Sequence, residues 1–145
     1  MSAQVLSNPP KWFWFAAGSA LLWNLIGVTT YIVSVTMSAD AIAALSEAEQ
    51  RLRDATPAFV TGAYATAVFA GTFGAMFLLL RRKWAVSAYS VSLVCLLVQF
   101  GYMLLAMNII TATGAVSAIL PVTIIIIGLL MLRLSHFARR SGWLS

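Results

Sequence analysis

Four continuously apolar runs constrain this chain more than any other feature: Trp12 to Thr36, Ala58 to Leu80, Trp84 to Met107 and Ala115 to Leu134. A bilayer core about 30 Å thick is crossed by roughly 20 apolar residues of helix, and each run is long enough. In hydrocarbon every backbone N–H and C=O must find its partner inside the protein, so a spanning segment is either a helix or a strand of a closed barrel. Barrel strands alternate apolar and polar residues over about ten positions, and these runs do not alternate. Of the 145 residues 61% are hydrophobic and 9% charged, too few polar groups to cover a globular surface. The expected fold is therefore all-α, a single four-transmembrane helix bundle over residues 1–145 with no soluble domain. The first run is too long for the apolar region of a cleaved signal peptide, about 7–15 residues, and reads as a retained span.

Charge sets the expected orientation. The net charge is +5, and the cations other than Arg51 and Arg53 stand at span ends. Lys11, the run Arg81, Arg82, Lys83 and the tail with Arg133, Arg139 and Arg140 share one side of a four-span protein. Asp40, Glu47, Glu49 and Asp54 all lie in the first interhelical loop. By the bias of Lys and Arg toward the cytoplasm, both termini are expected inside a bacterial inner membrane. Trp12, Trp14, Trp84 and Trp143 stand beside these cations, as aromatic anchors do at a headgroup boundary. Cations spread over span ends form no nucleic-acid face. The expected partners are membrane lipids and either further copies of the chain in a homo-oligomer or a larger membrane complex. Cys95 is the only cysteine, which rules out an intrachain disulfide and reads as a structural thiol.

The loop between the first two spans reads as an amphipathic helix over about 39–55. Ser38 is placed to cap it, and Ala41, Leu45, Ala48 and Leu52 form one apolar stripe. Glu47 with Arg51 and Glu49 with Arg53 are spaced for i to i+4 pairs of about 0.2–0.5 kcal/mol each. Ser46 with Glu49 equally fits a capping box, which would split the segment into two helices. Thr56 before Pro57 reads as a cap followed by proline in the first helical position. The segment "MSAQVLSNPPK" is expected to be a short arm, "NIITATGAVS" an outer turn punctuated by Gly114, and Pro121 a first-turn or kinking proline.

In the second span small residues recur every fourth position in two rows, Gly62, Thr66, Ala70, Gly74 and Ala63, Ala67, Gly71, Ala75. Helices associate in lipid largely through close backbone approach over such residues, which places this helix centrally against two neighbours. The openings "KWFWFAAGSALLWNLIGV" and "KWAVSAYSVSLVCLLVQFGY" both begin Lys-Trp and later carry an amide, though at distances differing by about a turn. A parallel repeat remains one reading of them.

Chemistry has little to work with. The spans carry no charge within their apolar cores, and no nucleophile with a base, paired carboxylates, metal-ligand spacing or phosphate loop stands anywhere in the chain. The expectation is a protein that is not an enzyme, with no cofactor and no metal. His136 reads as a solvated histidine in a basic tail. The lack of a membrane-embedded carboxylate argues against proton coupling through one. What remains at depth is uncharged polarity, and the candidate site residues are Trp23, Asn24, Tyr64, Gln99 and Tyr102. Asn24 can be satisfied by Gln99 or by a threonine of the second span, an interhelical bond of about 0.6–2 kcal/mol. Alternatively Trp23 and Asn24 border a cavity for a neutral polyol, the indole stacking on its C–H face and the amide bonding its hydroxyls.

With "PPKWFWFAAGSALLWNLIGV", "TMSADAIAALSEAEQRLRDATPAFV" and "LLLRRKWAVSAYSVSLVCLLVQFGY", nearly the whole chain resembles a family of small bacterial four-span proteins commonly labelled sugar transporters. That resemblance implies a four-span fold and transport of a neutral solute, and it carries no binding residue across. The second expectation is an accessory or assembly subunit that docks through the small-residue face of the second span, in which case Gly71→Leu disrupts association. A glutathione-using intramembrane transferase is the least favoured, since such proteins bring arginines and carboxylates into the bundle.

Overall fold

A computed structural model describes residues 7–107 and 114–145. It is all-helical among the described residues: α1 Lys11–Val35, α2 Ala39–Ala43, α3 Glu47–Ala55, α4 Ala58–Leu79, α5 Trp84–Gly101 and α6 Ile119–Arg140. A π-helical turn, Tyr102–Ala106, prolongs α5, and a 3₁₀ turn, Ala115–Ala118, precedes α6. Among the described residues four segments are long and apolar enough to cross a membrane: Lys11–Val35, Ala58–Leu79, Trp84–Ala106 and Ala115–Arg140. The last reaches beyond the expected end at Leu134, because Arg139 and Arg140 are tolerated in a final turn where cations meet the helix's negative end. Both Lys-Trp pairs stand at a helix start, at Lys11–Trp12 and Lys83–Trp84. Most of the expected outer turn, residues 108–113, and the start of the arm, residues 1–6, lie outside the described residues.

Helices α1 and α4, α4 and α5, and α5 and α6 pack as neighbours, so α4 and α5 are central. The buried face of α4 is Val60, Ala67, Val68, Gly71, Gly74, Ala75 and Leu78. Of the two small-residue rows, the one through Ala67, Gly71 and Ala75 turns inward together with Gly74. Ala63 and Ala70 are half-buried and Gly62 is exposed, with open space where a side chain would stand. A Cβ on Gly74 would lie 3.0 Å from the Tyr89 ring of α5. The small residues therefore seat side chains of this same chain, Asn24 against Gly71 and Tyr89 against Gly74.

The loop takes the two-helix alternative. Ser38 caps α2 by accepting from the Ala41 N–H at 3.2 Å. Ser46 and Glu49 form a reciprocal capping box at the start of α3, and Gln50 Nε2 donates to the carbonyl of Ala43, the last residue of α2, and to that of Leu45 in the bend that follows. Arg51 pairs with Glu47 at 3.1 Å as expected. The expected Glu49–Arg53 pair does not form: the carboxylate is held by Ser46, and Arg53 turns to the Met37 sulfur at 3.9 Å. Thr56 is not the cap of α4; its hydroxyl donates back to Leu52 O, and Pro57 occupies the cap position.

The Ser46 hydroxyl, followed by the Ser46 backbone N–H, lowers the Glu49 pKa below its ordinary 4.5. A depressed carboxylate stabilises the fold at pH above its unfolded value, and that contribution is lost as pH falls through the folded value. Protection of the α3 amides, taken as exchange relative to the unfolded chain at the same pH, is thus expected to be constant near neutrality and to fall as pH drops below 4.5. Glu49→Gln removes this acid sensitivity, and an unchanged profile in the variant would disprove the coupling.

At the opposite end the chain closes on itself. Ser145 N–H donates to Arg81 O at 2.7 Å and Lys83 N–H to Ser145 O at 2.9 Å. Arg81, in the left-handed region at φ 56°, gives its guanidinium to Trp143 O and Ser7 O. Leu144 is fully buried, and the Trp143 ring meets Trp12, Phe13 and Phe137 edge-on at centroid distances of 5.7, 5.5 and 5.3 Å. Trp143 is therefore half-buried in an aromatic cluster.

Candidate functional site

Two cavities share one side chain, Tyr64. The outer cleft, of about 470 Å³, lies under the loop helices: Leu45, Glu49, Leu52 and Arg53 line it from the loop, Ser34 from α1, Thr61 and Tyr64 from α4, and Gln99 from α5. The inner cleft, of about 200 Å³, is lined by all four long helices, with Trp23, Asn24 and Thr30 of α1, Tyr64 of α4, and Tyr89 and Ser92 of α5 among its polar or aromatic groups. Ile124, Ile127 and Gly128 bring α6 to it.

Asn24 is satisfied within its own helix: Nδ2 donates to Ala20 O at 2.8 Å. Gly71 has no side chain to hold it off, so the Asn24 carbonyl oxygen fills the place a Cβ would take there, and Ser92 Oγ lies 3.2 Å from the same point. The expected bond from Asn24 to Gln99 or a threonine is not made. Four threonines of α1 and α4 are occupied in the same local way, Thr29 with Leu25 O, Thr30 with Ile26 O, Thr66 with Gly62 O and Thr72 with Val68 O. A hydroxyl bonded to the carbonyl one turn back needs nothing from a neighbouring helix. Ser92 supplies an interhelical bond instead, donating to Ala67 O at 2.7 Å in the buried seam of α4 and α5.

Among the described residues two buried side-chain polar atoms have no hydrogen-bond partner, Gln99 Oε1 and the Tyr89 hydroxyl. Leaving such an atom unsatisfied costs about 1–3 kcal/mol, so each is a place where a polar guest is rewarded. Gln99 is only 6% exposed and lines the outer cleft. Tyr89 is 3% exposed and lines the inner one. Tyr64 lines both clefts and packs edge-on against Tyr31 at 5.3 Å.

The candidate residues therefore divide. Tyr64 and Gln99 meet at the outer cleft, and Trp23, Asn24 and Tyr64 meet at the inner one. Tyr102 lies in the π-helical turn, edge-on to Phe59 at 5.1 Å, and lines neither cleft. Tyr89 and Ser92 were not singled out from the sequence. The signal for them is spacing: Ala85, Tyr89, Ser92, Leu96 and Gln99 recur every three or four residues, which is one face of α5, and all five are buried. Among the described residues no three His, Cys, Asp or Glu side chains come together.

These features define a protein that is all-helical among the described residues, with four segments able to span a membrane and two clefts beside its central helices, the inner one lined by uncharged residues and the outer one reached by Glu49 and Arg53 of the loop. No protein-family model, curated protein or solved structure matches the chain.

Proposed function

We propose that the protein is a small transporter of a neutral solute such as a sugar, working as a homo-oligomer in a bacterial inner membrane with both termini in the cytoplasm. The observation that carries this reading is the buried Gln99 carbonyl without a partner at the outer cleft, with the unpartnered Tyr89 hydroxyl at the inner cleft and Tyr64 lining both. A hydroxylated, uncharged guest suits these groups: it can donate to Gln99 Oε1, accept from Tyr89 and lie against Tyr64 or Trp23. No counter-charge is needed, and among the described residues none of those lining the inner cleft is charged. Arg51, Arg53 and the four acids stand in the loop helices at the outer end, and the remaining cations at the end where the chain closes on itself. That separation supports the orientation by the bias of basic residues toward the cytoplasm.

The competing reading, an accessory subunit docking through the small residues of α4, is not favoured by the packing. Gly71 and Gly74 are already covered by Asn24 and Tyr89.

Reconstituted into liposomes, the protein is expected to admit uncharged monosaccharides faster than protein-free vesicles. Gln99→Leu is expected to lower that flux about tenfold, the worth of one buried hydrogen bond to the solute. Its thermal unfolding should be unchanged or raised, because an unpaired polar atom has been replaced by an apolar group of similar size. Absence of flux for any neutral sugar tested, or full flux in Gln99→Leu, would sink the proposal. The mass and composition of the complex extracted in mild detergent tests the oligomer: a second protein in fixed ratio would favour the accessory reading.

A further inference from the structure

We infer that the basic end of the molecule holds the phosphate of an anionic phospholipid in a defined cleft between α5 and α6. The cleft has a volume of about 510 Å³ and is lined by Lys83, His136, Arg139 and Arg140. Lys83 is the residue preceding α5, and the other three come from the last turns of α6, so two elements that pack together supply the four basic groups. His136 is fixed in orientation by Nδ1 on Leu132 O at 3.1 Å.

Three observations point to a phosphate group as the occupant. First, the chain has no Asp or Glu at this end: its four acids lie between residues 40 and 54, in the loop at the far end. Second, the negative end of α6 offers only about half an elementary charge, which is less than two arginines carry. Third, guanidinium groups bind phosphate oxygens through two parallel hydrogen bonds, and Arg139 and Arg140 are both exposed at the cleft.

The source of the phosphate follows from depth. Trp84 adjoins Lys83 and is 64% exposed, and Trp12 and Trp14 are exposed in the first turn of α1 at the same end. Exposed tryptophans at the end of a spanning helix mark the headgroup level. Basic pockets between spanning helices at that level take anionic headgroups, each added Lys or Arg strengthening the attraction. The site is separate from the two clefts above and stands whether or not a solute passes through them.

The test uses the full chain, delipidated in a neutral detergent, with phosphatidylglycerol, phosphatidylcholine and inorganic phosphate as probes. Binding is read by native mass spectrometry and by quenching of tryptophan fluorescence with brominated acyl chains. Phosphatidylglycerol is expected to bind about tenfold or more tightly than phosphatidylcholine, and Arg139→Gln with Arg140→Gln to remove that preference. Arg51→Gln, at the opposite end, should leave it intact. Equal binding of the two lipids, or an equal loss in Arg51→Gln, overturns the site. Displacement of phosphatidylglycerol by millimolar phosphate reassigns it to a soluble phosphate and overturns the lipid source. If the double variant fails to fold, the comparison of the two lipids on the unaltered protein decides the question.

Discussion

Gly71→Leu is expected to unfold or severely destabilise the isolated protein. The added Cβ alone would coincide with the Asn24 carbonyl oxygen and stand 3.1 Å from Asn24 Cγ and 3.2 Å from Ser92 Oγ. Asn24 would have to leave its bond to Ala20 O, and Ser92 its bond to Ala67 O, in the packed centre of α1, α4 and α5. Overpacking of this kind costs about 1–3 kcal/mol, and the rest of a leucine side chain adds to it. The smaller change Gly71→Ala isolates the cause. Alone it should lower stability by about 1–3 kcal/mol. Combined with Asn24→Ala it should become neutral or favourable, since alanine is the better helix former by about 1 kcal/mol. Gly62→Ala is the control: nothing lies within 4 Å of its added carbon, so it should cost nothing. Thermal unfolding in detergent reads all four variants, and a failure of Asn24→Ala to rescue Gly71→Ala would refute the notch. A loss of partner binding in Gly71→Leu would then say nothing about docking, because the fold fails first.

Leu144→Ala is expected to cost about 2–5 kcal/mol, the range for emptying a packed leucine site. Leu144 is 1% exposed and belongs to a cluster with Phe13, Ala17, Leu78, Ala85 and Ala138, which come from α1, α4, α5 and α6. Removing its side chain opens a void where four helices meet. The Arg81 and Ser145 backbone bonds remain, so the damage should be graded rather than complete. Trp143→Ala, which loses ring contacts to Trp12, Phe13 and Phe137, should fall in a similar range of about 3–5 kcal/mol. Arg82→Gln, in the same turn and exposed, should be near neutral. Melting temperatures separate these outcomes, and a Leu144→Ala protein as stable as the parent would show that residues 143–145 do not lock the helices.

The capping box and the Glu47–Arg51 pair were legible because they are local: a serine three residues before a glutamate, or opposite charges four apart, meet in any helix that forms. The Glu49–Arg53 pair failed for an equally local reason, since one carboxylate cannot serve both the Ser46 cap and an arginine a turn away. The candidate site was legible in part. Gln99 and Tyr64 were visible as polarity inside apolar runs, whereas Tyr89 and Ser92 were passed over, although they are of the same chemical kind. Their importance arises only from the α5 face they share.

By itself the sequence determined that this chain is helical and has four segments suited to hydrocarbon, since backbone hydrogen bonding in lipid admits no other continuous apolar structure. It also marked the loop as helical and offered the capping box at Ser46, but left one helix or two open until the structure split the segment there. Tertiary structure alone decided that Asn24 is seated on Gly71, that Ser92 carries a bond from α5 to α4, that Arg81 holds the segment around Trp143, and that Gln99 and Tyr89 keep polar atoms without partners. Each of these depends on which faces of distant helices meet. Side-chain period fixes a face within one helix but not the neighbour it will find.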